Sequence, residues 1–548
     1  MGGVNVRKRF GLPKVLSSVA VLSMLALAGC GGGQSAPAPD AGSATQSNQQ
    51  AAQPSGQPKD GGILTLALSA NAKTLDPIKY TAVYESNVMR NIADTLVVYN
   101  QDLSKLEPSL ATEWKVSDDM KVYTFKLRDN VFFQPGKFQD GRKMTAEDVK
   151  YSLERSAQHS AMNRLRGVEK VEVTGPNEVA LHLTAPNAAV LAALTDVGNV
   201  IVPKEEVEGW GDDFGKHLVG TGPFQLESWA NDGDVKVKRF DKYWGEKPHL
   251  DGITFKFITD GNMMTNALRS GDIDIATDIK GQNRAIVQKD DKLSLLTTPG
   301  LSISYLGMNM KEGPTKDVKV REAMAMGTDV QGLIKAVYQW GGAEPSKLPL
   351  PKGSWGYDAS AEANVPKYDP AKAKQLLTEA GYPNGFNTEI YVAQSRVPEA
   401  TIFATQMKEH LGINVEIKTV EWGTFSDIVS KGKAPLYIAG WTWYPDPDFF
   451  LFQMFHSKQI GALGNGYGFN NPKVDELLDR ATSETTDEAK RKELYSQALK
   501  LIVDERPRIE LGLIEIVAGT QKHVQGFNVK ADNSIVIAGN GVNVWLDK

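Results

Sequence analysis

The stretch Thr388-Glu389-Ile390-Tyr391-Val392 decides the fold, together with the segments that follow it. Its pattern predicts a strand. Residues 399–410 are predicted to form a helix that ends at Leu411-Gly412, and residues 415–420 to form a second strand. Residues 436–440 are predicted to form a third strand. Strand, helix and strand in succession imply a parallel unit with a right-handed crossover. We therefore predict an α/β fold.

Two segments follow the ends of these predicted strands. Gln394-Ser395-Arg396 follows the first strand, and residues 441–448 follow the strand over 436–440. Ligands of open α/β sheets bind in the crevice beyond the carboxyl ends of the strands. If both strands belong to one sheet, the two segments converge on one site.

Helix starts are marked at three further places. Asp369-Pro370 and Asn471-Pro472 each put a capping side chain before a proline at the first helical position. Thr145 is the predicted capping residue of a third helix, which starts without a proline. These helices and further predicted strands give a mixed body of alternating elements.

The N-terminus has the pattern of an export signal. A basic head precedes the apolar residues 15–28, which are too few for a stable membrane span, and Leu27-Ala28-Gly29-Cys30 closes them. This ending resembles the lipobox of bacterial lipoproteins, in which the signal is cleaved before the cysteine and the thiol is lipidated. An ordinary signal peptide with an incidental cysteine is the alternative. We predict a lipoprotein signal peptide over 1–29 and lipidation of Cys30.

Residues 30–59 contain almost no apolar side chain larger than alanine, so we predict a disordered tether. The signal and the tether together imply an extracytoplasmic protein held at the cell membrane, either periplasmic or at the cell surface. The chain has 548 residues, 41% of them hydrophobic, which is typical of a globular protein with two or three lobes.

Charge and motifs exclude several classes of function. A formal net charge of -5 disfavours nucleic-acid binding, which depends on an excess of Lys and Arg. The seven histidines have no paired ligand spacing, so we predict no metal site. Neither a phosphate loop nor a nucleophile elbow occurs, and we expect neither an enzyme nor a cofactor.

Several stretches, in order along the body, resemble one family. They are Leu110-Ala111-Thr112-Glu113-Trp114 continuing through 123–128 and 145–149, Gly220-Thr221-Gly222-Pro223-Phe224, Tyr243-Trp244, residues 268–274, residues 320–323 and Gly440-Trp441. The pattern is similar to the bacterial extracellular solute-binding proteins of family 5, the dipeptide, oligopeptide and nickel-chelate receptors of ABC importers. Each stretch alone is a weak signal, but their order and spacing are specific.

The resemblance implies a two-lobed periplasmic-binding-protein-like fold of type II with an extra inserted α+β domain. Carried to this chain, it implies a lobe I formed by 60–100, 219–295 and 514–548, an inserted domain over 101–218, and a lobe II over 296–513. A ligand is enclosed when the two lobes close about a hinge. We expect a monomer that delivers its cargo to the membrane subunits of an ABC permease.

The resemblance also implies binding residues. Arg396 stands where dipeptide receptors hold an arginine for the carboxylate of the ligand, and a structural arginine is the equal alternative. Trp441 matches the tryptophan of the family. Trp443 and Tyr444 are predicted to wall the pocket together with Trp441. They also fill the stretch in which peptide receptors place an aspartate for the amino group. Asp446 is either its substitute or a turn residue.

Five further side chains complete the predicted lining: Tyr84, Asn87, Tyr305, Asn309 and Trp422. The resulting prediction is a substrate-binding lipoprotein that captures a small peptide or peptide-like solute. The alternatives are a receptor for an oligosaccharide, an opine-like conjugate or a metal chelate, and a surface hydrolase or chaperone on the same scaffold.

Overall fold

The computed structural model describes residues 56–160, 162–229 and 233–548. The predicted signal peptide over 1–29, Cys30 and the tether up to residue 55 lie outside the described residues. Within the described ranges, no helix combines the length and the apolar character that a membrane crossing requires.

Twenty-one strands and fourteen α-helices are assigned in the described residues. The strands are β1 (Ile63–Leu68), β2 (Val97–Tyr99), β3 (Leu106–Pro108), β4 (Ala111–Val116), β5 (Val122–Leu127), β6 (Val168–Gly175), β7 (Glu178–Leu183), β8 (Phe224–Trp229), β9 (Val235–Arg239), β10 (Gly252–Phe257), β11 (Ile275–Thr277), β12 (Leu293–Met308), β13 (Ala343–Pro345), β14 (Asn387–Val392), β15 (Asn414–Thr419), β16 (Leu436–Thr442), β17 (Arg508–Gln521), β18 (Val524–Gln525), β19 (Ala538–Gly539), β20 (Val542–Asn543) and β21 (Trp545–Leu546). The helices are α1 (Val83–Met89), α2 (Ala146–His159), α3 (Val190–Ala193), α4 (Lys204–Trp210), α5 (Gly261–Ser270), α6 (Gln282–Lys289), α7 (Val318–Met326), α8 (Val330–Val337), α9 (Pro370–Glu379), α10 (Val397–Leu411), α11 (Trp422–Ser430), α12 (Asp448–Phe455), α13 (Pro472–Ser483) and α14 (Glu488–Glu505).

One large mixed sheet organises the fold. Its order is β15-β14-β16-β12-β17-β11-β1-β10-β9-β8, and β13 pairs separately with β17. At one end β14 runs parallel to β15 and β16, and at the other β1 runs parallel to β10 and β11. We name these ends the second half-sheet (β14 to β16) and the first half-sheet (β1 and β8 to β11). The long antiparallel strands β12 and β17 join them.

The second half-sheet confirms the prediction made from 388–440. The three predicted strands correspond to β14, β15 and β16, and the predicted helix corresponds to α10. Ile390 of β14 pairs in parallel register with Leu436 of β16. Both side chains are fully buried and pack with Phe403 and Met407 of α10. Full burial of such side chains stabilises the fold by about 1.5–3 kcal/mol each, so the apolar faces hold this unit together.

The predicted helix starts are also confirmed. The Asp369 side chain accepts a hydrogen bond from the backbone N–H of Lys372, and that of Asn471 accepts from Lys473. At α2, the Asp148 carboxylate accepts from the backbone N–H of Thr145 at 2.8 Å. Each of these bonds satisfies a backbone donor that the helix or the residue before it would otherwise leave unpaired.

A second sheet lies inside the range predicted for the inserted domain. It is antiparallel, has the order β4-β5-β7-β6, and packs against α2. Phe125, Val149, Leu153 and Leu181 are buried between the sheet and the helix.

Gln134 ties this region to the start of β8. Its Nε2 donates to the carbonyl oxygens of Ile92, Gly222 and Phe224 at 2.7, 3.1 and 2.8 Å, and its Oε1 accepts from the N–H of Gly220. A Cβ at Gly220 or Gly222 would lie 2.5 or 2.7 Å from the Ile92 oxygen. The two glycines of the 220–224 motif are therefore required by a close approach of two backbones.

We expect Gln134→Leu to lower the free energy of unfolding by about 2 kcal/mol or more, because it leaves buried backbone groups without partners. The side chain is only 1% exposed, so water cannot replace the lost bonds. Urea denaturation followed by circular dichroism measures the change. The matched control is Gln375→Leu on the exposed face of α9, which we expect to change stability by no more than about 0.5 kcal/mol. Equal midpoints for the two variants would contradict this role of Gln134.

Candidate functional site

A cavity of about 400 Å³ lies over the middle of the two long strands. Ser302 of β12 and residues Ile514 to Val517 of β17 form part of its lining. Residues at or just beyond the carboxyl ends of parallel strands in both half-sheets form two further parts of the lining, and residues of helices and loops complete it. The volume falls at the small end of the range of about 300–1,000 Å³ that is usual for ligand sites.

On the side of the second half-sheet, the cavity is lined by Arg396 and Thr442. Arg396 follows β14, and Thr442 is the last residue of the neighbouring parallel strand β16. Of the two segments that the sequence predicted to converge, Ser395, Arg396 and Thr442 therefore line one cavity, whereas Trp441 and residues 443–448 do not.

Arg396 belongs to a hydrogen-bonded cluster at the start of α10. Its Nη1 donates to Glu399 Oε1 at 3.0 Å, to Ser304 Oγ at 3.3 Å and to the Tyr338 hydroxyl at 3.4 Å. The Tyr338 hydroxyl donates to the same Glu399 oxygen. Burial raises the pKa of Tyr338 to about 12, so this hydroxyl keeps its proton at neutral pH. The cluster fixes the orientation of the guanidinium.

Gly440 allows the guanidinium to lie close to β16. A Cβ at this position would lie 3.0 Å from Arg396 Nη2, closer than a side chain usually tolerates. The glycine of the Gly440-Trp441 motif thus makes room for the arginine.

The wall on the side of the first half-sheet carries Ser69 and Asp278. They directly follow β1 and β11, which run parallel and adjacent. Ser69 Oγ donates to Asp278 Oδ2 at 3.0 Å, and Lys280 Nζ donates to the same oxygen at 2.7 Å. On both sides, the cavity is therefore lined by residues that follow the carboxyl ends of parallel strands, which is where ligands of open α/β sheets bind.

A third charged pair lies between the two walls. Arg284 of α6 donates through Nη2 to Glu515 of β17 at 2.7 Å, and Arg284 is only 7% exposed. Gly341 and Gly342 have φ values of 80° and 113°, which glycine adopts at little cost. This backbone lies against the Arg284 guanidinium, and it follows the half-exposed Trp340 that also lines the cavity.

Two predicted residues of the early chain, Tyr84 and Asn87, also line this cavity. The Tyr84 hydroxyl lies 3.5 Å from Ser69 Oγ. The Asn87 amide is engaged with the backbone, since Nδ2 donates to Asn533 O and Oδ1 accepts from Ile535 N. Asn87 therefore positions the C-terminal segment of the lining.

The aromatic residues at the end of β16 and just beyond it pack among themselves. The Trp441 indole donates to the carbonyl of Phe449 at 3.0 Å, and its ring stacks on Trp443. Trp443 and Tyr444 both pack on the Phe449 ring. None of these rings is among the residues that line the 400 Å³ cavity. The geometry gives them a packing role.

Asp446 lies in a buried ion pair. It is 4% exposed, its Oδ1 accepts from Arg491 Nη2 at 3.0 Å, and the same oxygen accepts from the backbone N–H of Asp448. Of the two interpretations of Asp446, the geometry favours the turn residue over a substitute for the missing amino-group partner.

The other predicted lining residues also lie away from this cavity. Tyr305 is fully buried with its ring against Tyr437, and the Asn309 amide donates to the carbonyl of Gly432 at 2.9 Å. Trp422 is 57% exposed and stacks on Phe425. None of these three residues lines the cavity.

Several residues that line the cavity were not predicted from the sequence. They are Ser69, Asp278, Lys280, Arg284, Tyr338, Trp340, Glu399 and Glu515. Glu399 had a visible signal, because it lies three residues after Arg396 at the start of a predicted helix. In the described residues, no group of three or more His, Cys, Asp or Glu side chains is arranged to hold a metal ion.

Comparison with known proteins places this geometry in a family. The model of the bacterial extracellular solute-binding proteins, family 5 (middle), matches residues 105–462. The glutathione-binding protein GsiB of Salmonella typhi is 31% identical over 484 residues, which cover 86% of this chain and 92% of that protein. The dipeptide-binding protein of Escherichia coli K12 is 30% identical over 509 residues, covering 85% and 94%.

The fold has a close counterpart among solved structures. The periplasmic binding protein DppA of Helicobacter pylori, solved in complex with the peptide STSA, superposes with a TM-score of 0.79 at 28% identity, covering 89% of this chain and 99% of that one. The predicted two-lobed α/β fold of type II with an inserted α+β domain is thereby confirmed. The chain belongs to family 5 of the bacterial extracellular solute-binding proteins, the receptors of ABC importers.

Proposed function

We propose that this receptor captures a small peptide or peptide-like solute in the 400 Å³ cavity and delivers it to a membrane permease. The observation that carries the proposal is the Arg396 guanidinium, which lines the cavity and is held in place by Glu399. The names of the relatives, for glutathione and for dipeptides, support a ligand of this class.

Arg396 is suited to a ligand carboxylate. A guanidinium offers a planar fork of N–H donors that matches the two oxygens of a carboxylate. Each charge-assisted hydrogen bond contributes about 1.5–3 kcal/mol, which is enough to orient a small solute. Because Glu399 and Tyr338 fix one edge of the guanidinium, little side-chain entropy is lost when a ligand binds.

Closure of the two lobes would use the long strands as its hinge. The proposed lobe boundaries, between 295 and 296 and between 513 and 514, fall inside β12 and β17. The pairing of these strands is irregular between Pro299 and Ser302, where a side chain at Gly300 would collide with the carbonyl oxygen of Ile514. A ligand that contacts both half-sheets favours the closed state, because some of its contacts exist only there.

Dipeptides should raise the melting temperature of the purified protein, while oligosaccharides and metal chelates should not. A ligand at one hundred times its dissociation constant stabilises the folded state by about 2.7 kcal/mol. Differential scanning fluorimetry against the three pools measures this effect. Stabilisation by sugars or chelates with peptides inert would overturn the peptide assignment.

Arg396→Ala should weaken a dipeptide by more than tenfold, because about 1.4 kcal/mol is a factor of ten and at least one charged hydrogen bond is lost. The variant also leaves Glu399, which is 2% exposed, without its cation. The double variant Arg396→Gln with Glu399→Gln removes both charges and separates binding from folding. Isothermal titration calorimetry is the measurement, and Arg480→Ala, at a partly exposed position outside the cavity, is the control. Unchanged affinity in the double variant would remove Arg396 from the site.

Asp446→Asn should lower the stability of the protein and leave its affinity for dipeptides nearly unchanged. Breaking the buried pair with Arg491 should lower the melting temperature of the ligand-free protein, since removal of one partner of a buried ion pair costs about 3–5 kcal/mol. We expect dipeptide affinity below the melting transition to change by less than threefold. A large loss of affinity at unchanged stability would return Asp446 to the binding site.

We further propose that lipidation of Cys30 anchors the receptor at the membrane. Cys30→Ala should shift the protein from the membrane pellet to the soluble fraction of fractionated cells. Its melting temperature should match that of the wild-type protein after detergent extraction, because Cys30 precedes the folded body. Continued pelleting of the variant with membranes would contradict the anchor.

A further inference from the structure

A peptide brings an amino group into the cavity as well as a carboxylate. Burying an ammonium without a partner is costly, so a receptor for free peptides needs an acceptor for it. Asp446 already holds Arg491, and Trp443 and Tyr444 carry no charge. The acceptor has to come from another part of the cavity.

Three carboxylates line the cavity: Asp278, Glu399 and Glu515. Glu399 is bonded to Arg396, and Glu515 is bonded to the buried guanidinium of Arg284. If either glutamate paired with a ligand instead, its arginine would be left as a poorly solvated charge without a partner.

Asp278 differs because its cationic partner is in solvent. The Lys280 side chain is 73% exposed, whereas the Asp278 side chain is 35% exposed. Ion pairs with an exposed lysine stabilise a protein by only about 0–1 kcal/mol. A ligand ammonium can therefore take the place of Lys280, whose own charge returns to water.

The backbone holds the Asp278 carboxylate firmly at the cavity wall. The Asp278 N–H donates to the carbonyl of Val517 in β17 at 3.0 Å, and Ser69 donates to Oδ2. The residue has a φ of 60°, a left-handed conformation that Asp and Asn adopt more readily than most residues. Both of its hydrogen bonds with side chains go to Oδ2, and no described residue donates to Oδ1.

We propose that Asp278 receives the free amino group of the solute, so that the cargo is a zwitterion held between Asp278 and Arg396. The inference rests on the proposed function and narrows its substrate class to peptides with an unblocked amino terminus. The two ends of the ligand then contact opposite half-sheets, and the ligand itself links the two sides of the cavity.

The test compares Ala-Phe with N-acetyl-Ala-Phe by isothermal titration calorimetry. The wild-type protein should bind the free dipeptide at least tenfold more tightly than the acetylated one. Asp278→Asn should weaken the free dipeptide at least tenfold and change affinity for the acetylated one by less than twofold. Because asparagine tolerates the left-handed conformation, we expect the variant to keep its fold, which its melting temperature verifies.

Two further variants serve as controls. Asp272→Asn removes an exposed carboxylate outside the cavity and should leave both affinities unchanged. Lys280→Gln removes the competing cation and should bind the free dipeptide at least as tightly as the wild-type protein. A tenfold loss in Lys280→Gln would overturn the assigned exchange of partners.

The outcomes separate this inference from the function it rests on. If the wild-type protein binds Ala-Phe and Asp278→Asn binds it equally well, Asp278 is not the amino-group site, while the peptide receptor stands. If neither Ala-Phe nor any other peptide in the dipeptide pool binds the wild-type protein, the proposed function and this inference fail together.

Discussion

The antiparallel pairing of β12 with β17 is the constraint on which the rest of the structure depends. The pair begins with Leu293 opposite Gln521 and ends with Gly307 opposite Arg508, and the two strands join the half-sheets to each other. Strand β11 pairs with one end of β17, and β16 pairs with the far half of β12. Since the parallel strands on either side end near the middle of this pair, their terminal residues surround one cavity. Side chains that are far apart in sequence meet there.

The local parts of this arrangement were predictable from sequence. The unit β14-α10-β15 carries its own signals. Apolar side chains of the two strands, buried in β14 and partly buried in β15, pack with a helix that ends at Gly412 in a left-handed conformation. The same local pattern put Arg396 at a strand end, because its position depends only on β14 and the helix after it. The capped helices at Asp369 and Asn471 were predictable for the same reason.

The composition of the site was less predictable, for two physical reasons. The sequence does not distinguish an aromatic residue that packs in a core from one that faces a ligand. Trp441 and Trp443 pack against Phe449. Asp278 follows a strand of only three residues, which is too short to show an alternating pattern. The Arg284 partner, Glu515, lies 231 residues away in sequence, and only the sheet order brings the two together.

The charge balance of the cavity has a kinetic consequence. Its three carboxylates are each paired with a cation that also lines the cavity, so the opening presents little net field to the surrounding water. Solutes are then not steered towards it over long distances, and their association rate should depend only weakly on ionic strength. For a receptor working outside the cytoplasm, where salt is set by the environment, such a cavity would capture nutrients at a similar rate in dilute and in saline media.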